Sequence, residues 1–441
     1  MSKKGSYFSQ EMNRVKRQLE KENTKTLVLP PLFAFRDHGV YDFDNYLSFF
    51  DWSIASCPVV IDLRQCHTAN YQAISLLVAY AWHLKNNGCR VSFIESESEN
   101  GASEMYRAIG GRGLFQVAVN PKLNFKSRNR KPLFAIRDSA DFKKAIASVE
   151  TYTEDFNVEY LNTLRYVLSE LLYNTLEHGK SFFDYRGKSL RAPSLIQFTW
   201  YQKSNEIHFI IADTGMGIKS HIEQAYPGQE SDEEAIKLAV KPQVSGTFGS
   251  TDPYKQKNNA GVGLYLSTNI IRRLKADMHI VSGNGLLHIS PRDITGKTLE
   301  HEWKGTFVLV SVKLEEGANF ALHQMMQEFR ASAKKEQEKG DKNETSSSFY
   351  LSIRNYFGPY AEDKDAAIKY RDEKLFPEIY LEKSIVVDFD DVESAPHSFL
   401  SGLFASPMKY LGMKAYKKIK FVNATPEIRE TLDFILDENT E

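Results

Sequence analysis

Residues 169–179 read SELLYNTLEHG. Glu170, Asn174 and His178 fall four residues apart, so on a helix they share one edge. Beside them, Leu161, Leu164, Leu168, Leu171 and Leu172 make the apolar stripe of a core-facing helix. Gly179 sits where a helix commonly stops, which gives a helix over about 157–178. An Asn amide oxygen is a hard ligand that suits Mg²⁺. A Glu one turn earlier can orient or deprotonate an attacking water. Taken alone, the triplet reads more simply as a solvated helix face.

The residues downstream narrow the choice. Two strands are expected at 195–201 and 207–213, joined by the polar turn KSNE. The second ends in Asp213-Thr214-Gly215-Met216-Gly217, where a strand-terminal carboxylate can accept a hydrogen bond from a ring amino group. Gly215 and Gly217 let backbone approach such a ring closely. SDEE at 231–234 is a capping box that opens a short helix. Residues 241–259 are rich in Gly, Ser, Thr and Lys and read as a loop. Gly261-Val262-Gly263-Leu264 then begins a helix to about 275, and helix N-termini favour phosphate. Gly305-Thr306 leads into a last strand, TFVLVSVKL, at 306–314.

Together, ExxxN, DxGxG, GxGL and GT in this order resemble the family of ATPases shared by histidine kinases, DNA gyrase, heat-shock chaperones and mismatch-repair proteins (GHKL). SELLYNTLEHG looks most like the anti-sigma-factor serine kinases. The resemblance covers roughly 157–314 and implies an α/β sandwich that holds ATP and Mg²⁺ under a lid. It implies that Glu170 is the general base and Asn174 the Mg²⁺ ligand, with His178 reaching a phosphate. It further implies that Asp213 binds adenine in a pocket shaped by Gly215 and Gly217. Gly261 and Gly263 would hold the phosphates, and Thr306 would support the adenine site through water. The phospho-accepting His helix of sensor kinases is missing before residue 157.

The flanks read as smaller α/β layers. PVVIDL at 58–63 is a buried-strand run, followed by a helix at 69–85 and a strand at 90–95. SIVVDF at 384–389, a helical stretch at 398–404 and a strand at 419–423 repeat the pattern, with a final helix at 426–436. IDL at 61–63 and VDF at 387–389 occupy corresponding places. Both flanks resemble STAS-type domains, the fold of anti-sigma-factor antagonists. By that resemblance Thr68 and Ser398 are the nearest candidates for a phosphoacceptor, with helix capping as the alternative role.

The expected class is therefore α/β (α+β): a central GHKL-type sandwich between two small STAS-like domains. The expected order is a polar tail at 1–25, a STAS-like domain at 26–120 and a connecting segment at 121–156. An ATPase domain at 157–318 with its lid at 218–260 follows, then a charged linker at 319–349 and a second STAS-like domain at 350–441.

Composition bounds the partners. The 441 residues carry a net charge of −1, which gives no support to a nucleic-acid partner. The basic runs at 122–131 and 409–420 read as a solvated linker and a solubilising surface. No run of about 18 apolar residues spans a membrane. Cys57, Cys66 and Cys89 are scattered and lack metal spacing, which fits a reducing, cytoplasmic setting. The reading is an ATP-driven switch acting on a protein partner or a second copy. The alternatives are a serine/threonine kinase acting on a STAS-like domain and a nucleotide-binding scaffold. A bacterial regulatory, stress or phage-defence role rests on the resemblance alone.

Overall fold

Every second residue of the central strands faces one core, and the residues between them face another. The computed structural model describes residues 14, 23–37, 40–97, 99–128, 131–150, 158–177, 182–185, 188–201, 203–242, 244, 263–313 and 348–440. The chain is of the mixed α/β class with several small sheets. It divides into two compact units: residues 1–35, 43–291 and 296–333, and residues 36–42, 292–295 and 334–441.

In the first unit, β1 (Lys25–Val28), β2 (Pro58–Asp62) and β3 (Arg90–Ile94) form a parallel sheet with β2 in the middle. Helix α1 (Tyr71–Asn86) makes the crossover between β2 and β3. Its N-cap Asn70 accepts the Ala73 N–H at 2.7 Å. Every residue from Tyr71 to Leu84 is buried. A helix covered all round needs partners on two sides.

The second partner is a five-stranded sheet in the order β9-β10-β8-β7-β4. Its strands are β4 (Leu133–Ile136), β7 (Ser194–Tyr201), β8 (Glu206–Asp213), β9 (Asp277–Ile289) and β10 (Ile294–Lys313). A separate hairpin, β5 (Phe182–Tyr185) with β6 (Lys188–Arg191), precedes β7. Helices α2 (Ser139–Glu150), α3 (Val158–Glu177), α4 (Gly217–Ile222), α5 (Asp232–Ala239) and α6 (Gly263–Arg273) also belong to this unit.

Ile196 and Phe198 of β7, Ile207, Phe209 and Ile211 of β8, and Val308, Val310 and Val312 of β10 bury one face. They pack with Leu164, Leu168 and Leu172 of α3, Ile236 of α5 and Ile270 of α6. The opposite face meets α1. There Gln72 donates to the Gln197 side chain at 3.0 Å and to Thr199 Oγ1 at 3.2 Å, and all three residues are buried. An aromatic cluster extends this contact: Trp303 of β10 meets Trp52 and Phe50 edge-on at 5.1 and 5.3 Å. On this second face the buried polar side chains of Gln197 and Thr199 are satisfied by hydrogen bonds.

Three expectations change. Residues 26–120 are not a domain apart, because α1 and the aromatic cluster join them to the central sheet in one unit. The connecting segment 121–156 supplies β4, which pairs antiparallel with β7, and α2. The first part of the expected lid is anchored structure: α5 opens with Ser231 capping Glu234, and buried Glu233 binds Lys237 at 2.6 Å and Thr298 at 3.0 Å. The rest of the lid, 245–262, lies outside the described residues, as do most of the 1–25 tail and the 319–347 part of the linker.

In the second unit, β11 (Ser348–Ser352), β12 (Ser384–Asp388) and β13 (Ile419–Val422) form another parallel sheet with β12 in the middle. A short helix, α7 (Phe376–Tyr380), precedes β12, and α8 (His397–Leu411) and α9 (Ala415–Lys418) lead on to β13. The terminal helix α10 (Pro426–Thr440) packs Ile428, Leu432 and Ile435 into the core that holds Phe399 and Leu403 of α8.

The two parallel sheets share local detail. β2 and β12 have the same alternation of burial, and each ends in a buried aspartate, Asp62 or Asp388. Asp62 Oδ1 accepts the Arg64 N–H, and Asp388 Oδ1 accepts the Asp390 N–H, each at 3.0 Å. Leu63 N–H bonds Ile94 O at 2.9 Å, and Phe389 N–H bonds Val422 O at 3.0 Å. The likeness of IDL and VDF is thus a repeated strand-end geometry.

Candidate functional site

Asp213 is the last residue of β8 and pairs with Thr306 of β10. Its side chain is buried, and Gly215 N–H donates to Oδ1 at 2.8 Å. Burial pushes this carboxyl up from its ordinary 3.8 to about 6. The backbone N–H groups of Gly215 and Thr306 and the charge of Arg191 pull the other way. Below, the Asp213 carbonyl accepts the Trp303 indole N–H at 3.0 Å, which ties the strand end to the aromatic cluster.

The glycines beside it hold conformations that side chains resist. Gly217 has φ +79° and starts α4, while Gly305 has φ +107°. A Cβ on Gly305 would lie 2.7 Å from Thr214 Cα and 2.8 Å from Gly215 N, against backbone that cannot rotate away.

Ser282 of β9 joins these parts. Its hydroxyl accepts the Ile218 N–H at 2.8 Å and lies 3.0 Å from both Gly305 O and Thr306 Oγ1. A serine has one proton to give, and the Gly305 carbonyl can only accept. Thr306 therefore donates to Ser282, and Ser282 donates to Gly305. The structure thus brings Asp213, Gly215, Gly217 and Thr306 together at one end of β8 and β10.

Glu170 and Asn174 are half-buried on α3, whose Leu171 and Leu172 enter the core. Gly263 is the first residue of α6, which packs on α3. His178 and Gly261, and the side chain of Leu161, lie outside the described residues.

Ser282, Trp303 and Arg191 were not legible as site residues. Arg191, at the end of β6, donates to the Thr175 carbonyl of α3 at 3.4 Å. Its charge also acts on Asp213. Nothing in RGKSLRAP distinguishes it from a surface arginine.

Thr68 and Ser398 are both exposed. Neither caps a helix: Asn70 caps α1, and α8 begins after Pro396 without a side-chain cap. Residues 371–429 match the STAS-like domain of unknown function (DUF4325). The C-terminal unit carries a STAS-like domain. Ser398 lies within the matched stretch, in the first turn of its long helix. No curated protein matches the chain. Among the described residues no helix is long and apolar enough to cross a membrane.

Asp213→Asn separates stability from function at this site. Below its ordinary value of 3.8 the carboxyl is protonated in both folded and unfolded chains. Between 3.8 and about 6 the unfolded chain ionises first, so stability falls as pH rises. Above that window the penalty is constant. Asp213→Asn is therefore expected to raise stability at pH 7.5 by about 1–3 kcal/mol. Urea unfolding should show this gain shrinking toward zero near pH 4.

Proposed function

We propose that the first unit binds ATP with Mg²⁺ at the ends of β8 and β10, and that the protein is an ATP-driven regulatory switch. The observation that carries this reading is the buried Asp213 acceptor, framed by Gly215, Gly217, Gly305 and Thr306. A buried carboxylate at a strand end, with glycine backbone beside it, suits a flat ring that bears an amino donor.

The chain's residues fit the nucleotide in a consistent way. Asp213 would accept the adenine amino group, and Thr306, fixed by Ser282, would order the pocket's polar edge. The first turn of α6 at Gly263 would offer N–H groups to phosphate. Asn174 would share the ion with phosphate oxygens, the usual manner of Mg²⁺. Bound there, Mg²⁺ supplies charge neutralisation of the phosphates. Glu170, one turn before Asn174, would hold and deprotonate the attacking water. Trp303, which donates to the Asp213 carbonyl and packs on Trp52 and Phe50, would give the N-terminal layer a path to this strand end. A protein partner or second copy would read the change.

A second reading is a serine/threonine kinase, favoured by exposed Ser398 within a STAS-like domain. Incubation with Mg²⁺ and γ-labelled ATP, beside Asn174→Ala, distinguishes the two. Free labelled phosphate, lost in the variant, is the result expected of the switch. Label retained on a Ser or Thr, lost in the variant, supports the kinase. Label that moves equally in both proteins contradicts a role for Asn174 in either.

A further inference from the structure

The net charge of −1 conceals a local ridge on the second unit. Residues 409–420 read KYLGMKAYKKIK, with five lysines and no carboxylate. They form the end of α8, a short turn of 3₁₀ helix, α9 and the start of β13. Lys409, Lys414, Lys417 and Lys420 are exposed. Between them stand Tyr410, 60% exposed, and Tyr416, 48% exposed. Tyr380, at the end of α7, is also 60% exposed and meets the Tyr410 ring edge-on at 5.4 Å. The Tyr380 ring stacks on Phe376. The Lys418 ammonium donates to the Glu382 carbonyl, which joins the α7 side to the α9 side in one surface.

We propose that this ridge binds single-stranded nucleic acid, with the lysines on the phosphates and the tyrosine rings on the bases. Open aromatic faces interleaved with lysine are what a single strand offers partners for, since every base has a π-face and every linkage a charge. Charge also selects against a flat anionic membrane. Tyr416 donates to Asp437 of α10 at 2.7 Å, and α10 exposes Glu427, Glu430, Asp433 and Glu438 as well. A plane that reached Tyr416 would meet those carboxylates. A narrow strand follows the lysines and avoids them.

The test is fluorescence anisotropy of the full chain with a labelled oligo-deoxythymidine of about 16 nucleotides. Binding should weaken with salt at a log–log slope of about −3, the value for four or five neutralised phosphates on a single strand. Lys414→Glu with Lys417→Glu should weaken binding at least about tenfold and flatten the slope. Tyr410→Ala should weaken it about tenfold with the slope unchanged, and Tyr410→Phe should bind as the parent does. Thermal melts of each variant verify the fold. The proposal is overturned if the oligonucleotide does not bind, or if Tyr410→Ala binds as the parent does. Sedimentation with phosphatidylserine vesicles but no oligonucleotide binding would assign the ridge to a membrane and overturn it too. None of these outcomes depends on ATP.

Discussion

Glu170→Gln is expected to lower ATP turnover by about 100-fold or more while leaving ATP affinity within a few-fold. The substitution keeps the size and shape of the side chain and removes its ability to take a proton. Glu170 is half-buried on α3, one turn before Asn174. Neighbouring Leu168, Leu171 and Leu172 fix the helix in the core, so the carboxylate is carried on a rigid element. Phosphate release and calorimetric ATP binding, measured on the same preparations, separate chemistry from affinity. Turnover within about threefold of the parent would remove Glu170 from the catalytic role.

Gly305→Ala carries the largest expected cost in stability, roughly 2–4 kcal/mol. Two effects add. At φ +107° an L side chain is strained, and its Cβ would press on Thr214 Cα and Gly215 N of the neighbouring strand end. These are backbone atoms, so relief requires β8 and β10 to part where Asp213 and Thr306 pair. Gly228→Ala is the matched control: φ is +90°, but nothing lies within 4 Å of a Cβ there. It should cost about 1 kcal/mol, from backbone strain alone. Urea midpoints of the two variants measure the difference. Equal costs would mean that the close approach at Gly305 is not what the strand end requires.

The parts of the site written in local pattern were readable, and the parts made by long-range contact were not. The turn after β8 showed itself as an aspartate and two glycines after an apolar strand, and Gly305-Thr306 as a strand entry. That Thr306 pairs with Asp213 is a register, set by strands about ninety residues apart in the chain. Ser282 sits in β9, a strand that local reading passed over although it runs from Asp277 to Ile289. β10 likewise begins at Ile294, well before the expected 306, because its first half, ITGKTLEHEWKG, is mostly polar and reads as loop. β4 is four residues long and follows the basic run KSRNRKP, so its flanks mask it.

The union of the N-terminal layer with the central sheet did leave a sign. Residues 71–84 are almost wholly apolar, too much so for a helix with one wet face. The sheet left no such sign, because the second face of β7 and β8 carries Gln197, Thr199 and His208. What the pattern omitted was that each was the other's partner, a fact carried by Gln72, Gln197 and Thr199 only once folded. The C-terminal STAS-like domain was legible because its strand–helix–strand unit is contiguous in the chain.

The most direct measurement is calorimetric titration of the full chain with ATP and Mg²⁺ at pH 7.5, beside Asp213→Asn. Saturable binding of one ATP per chain, weakened about tenfold or more in the variant, is the predicted result. No binding by the folded parent, or equal affinity in the two proteins, would contradict an adenine pocket at the end of β8.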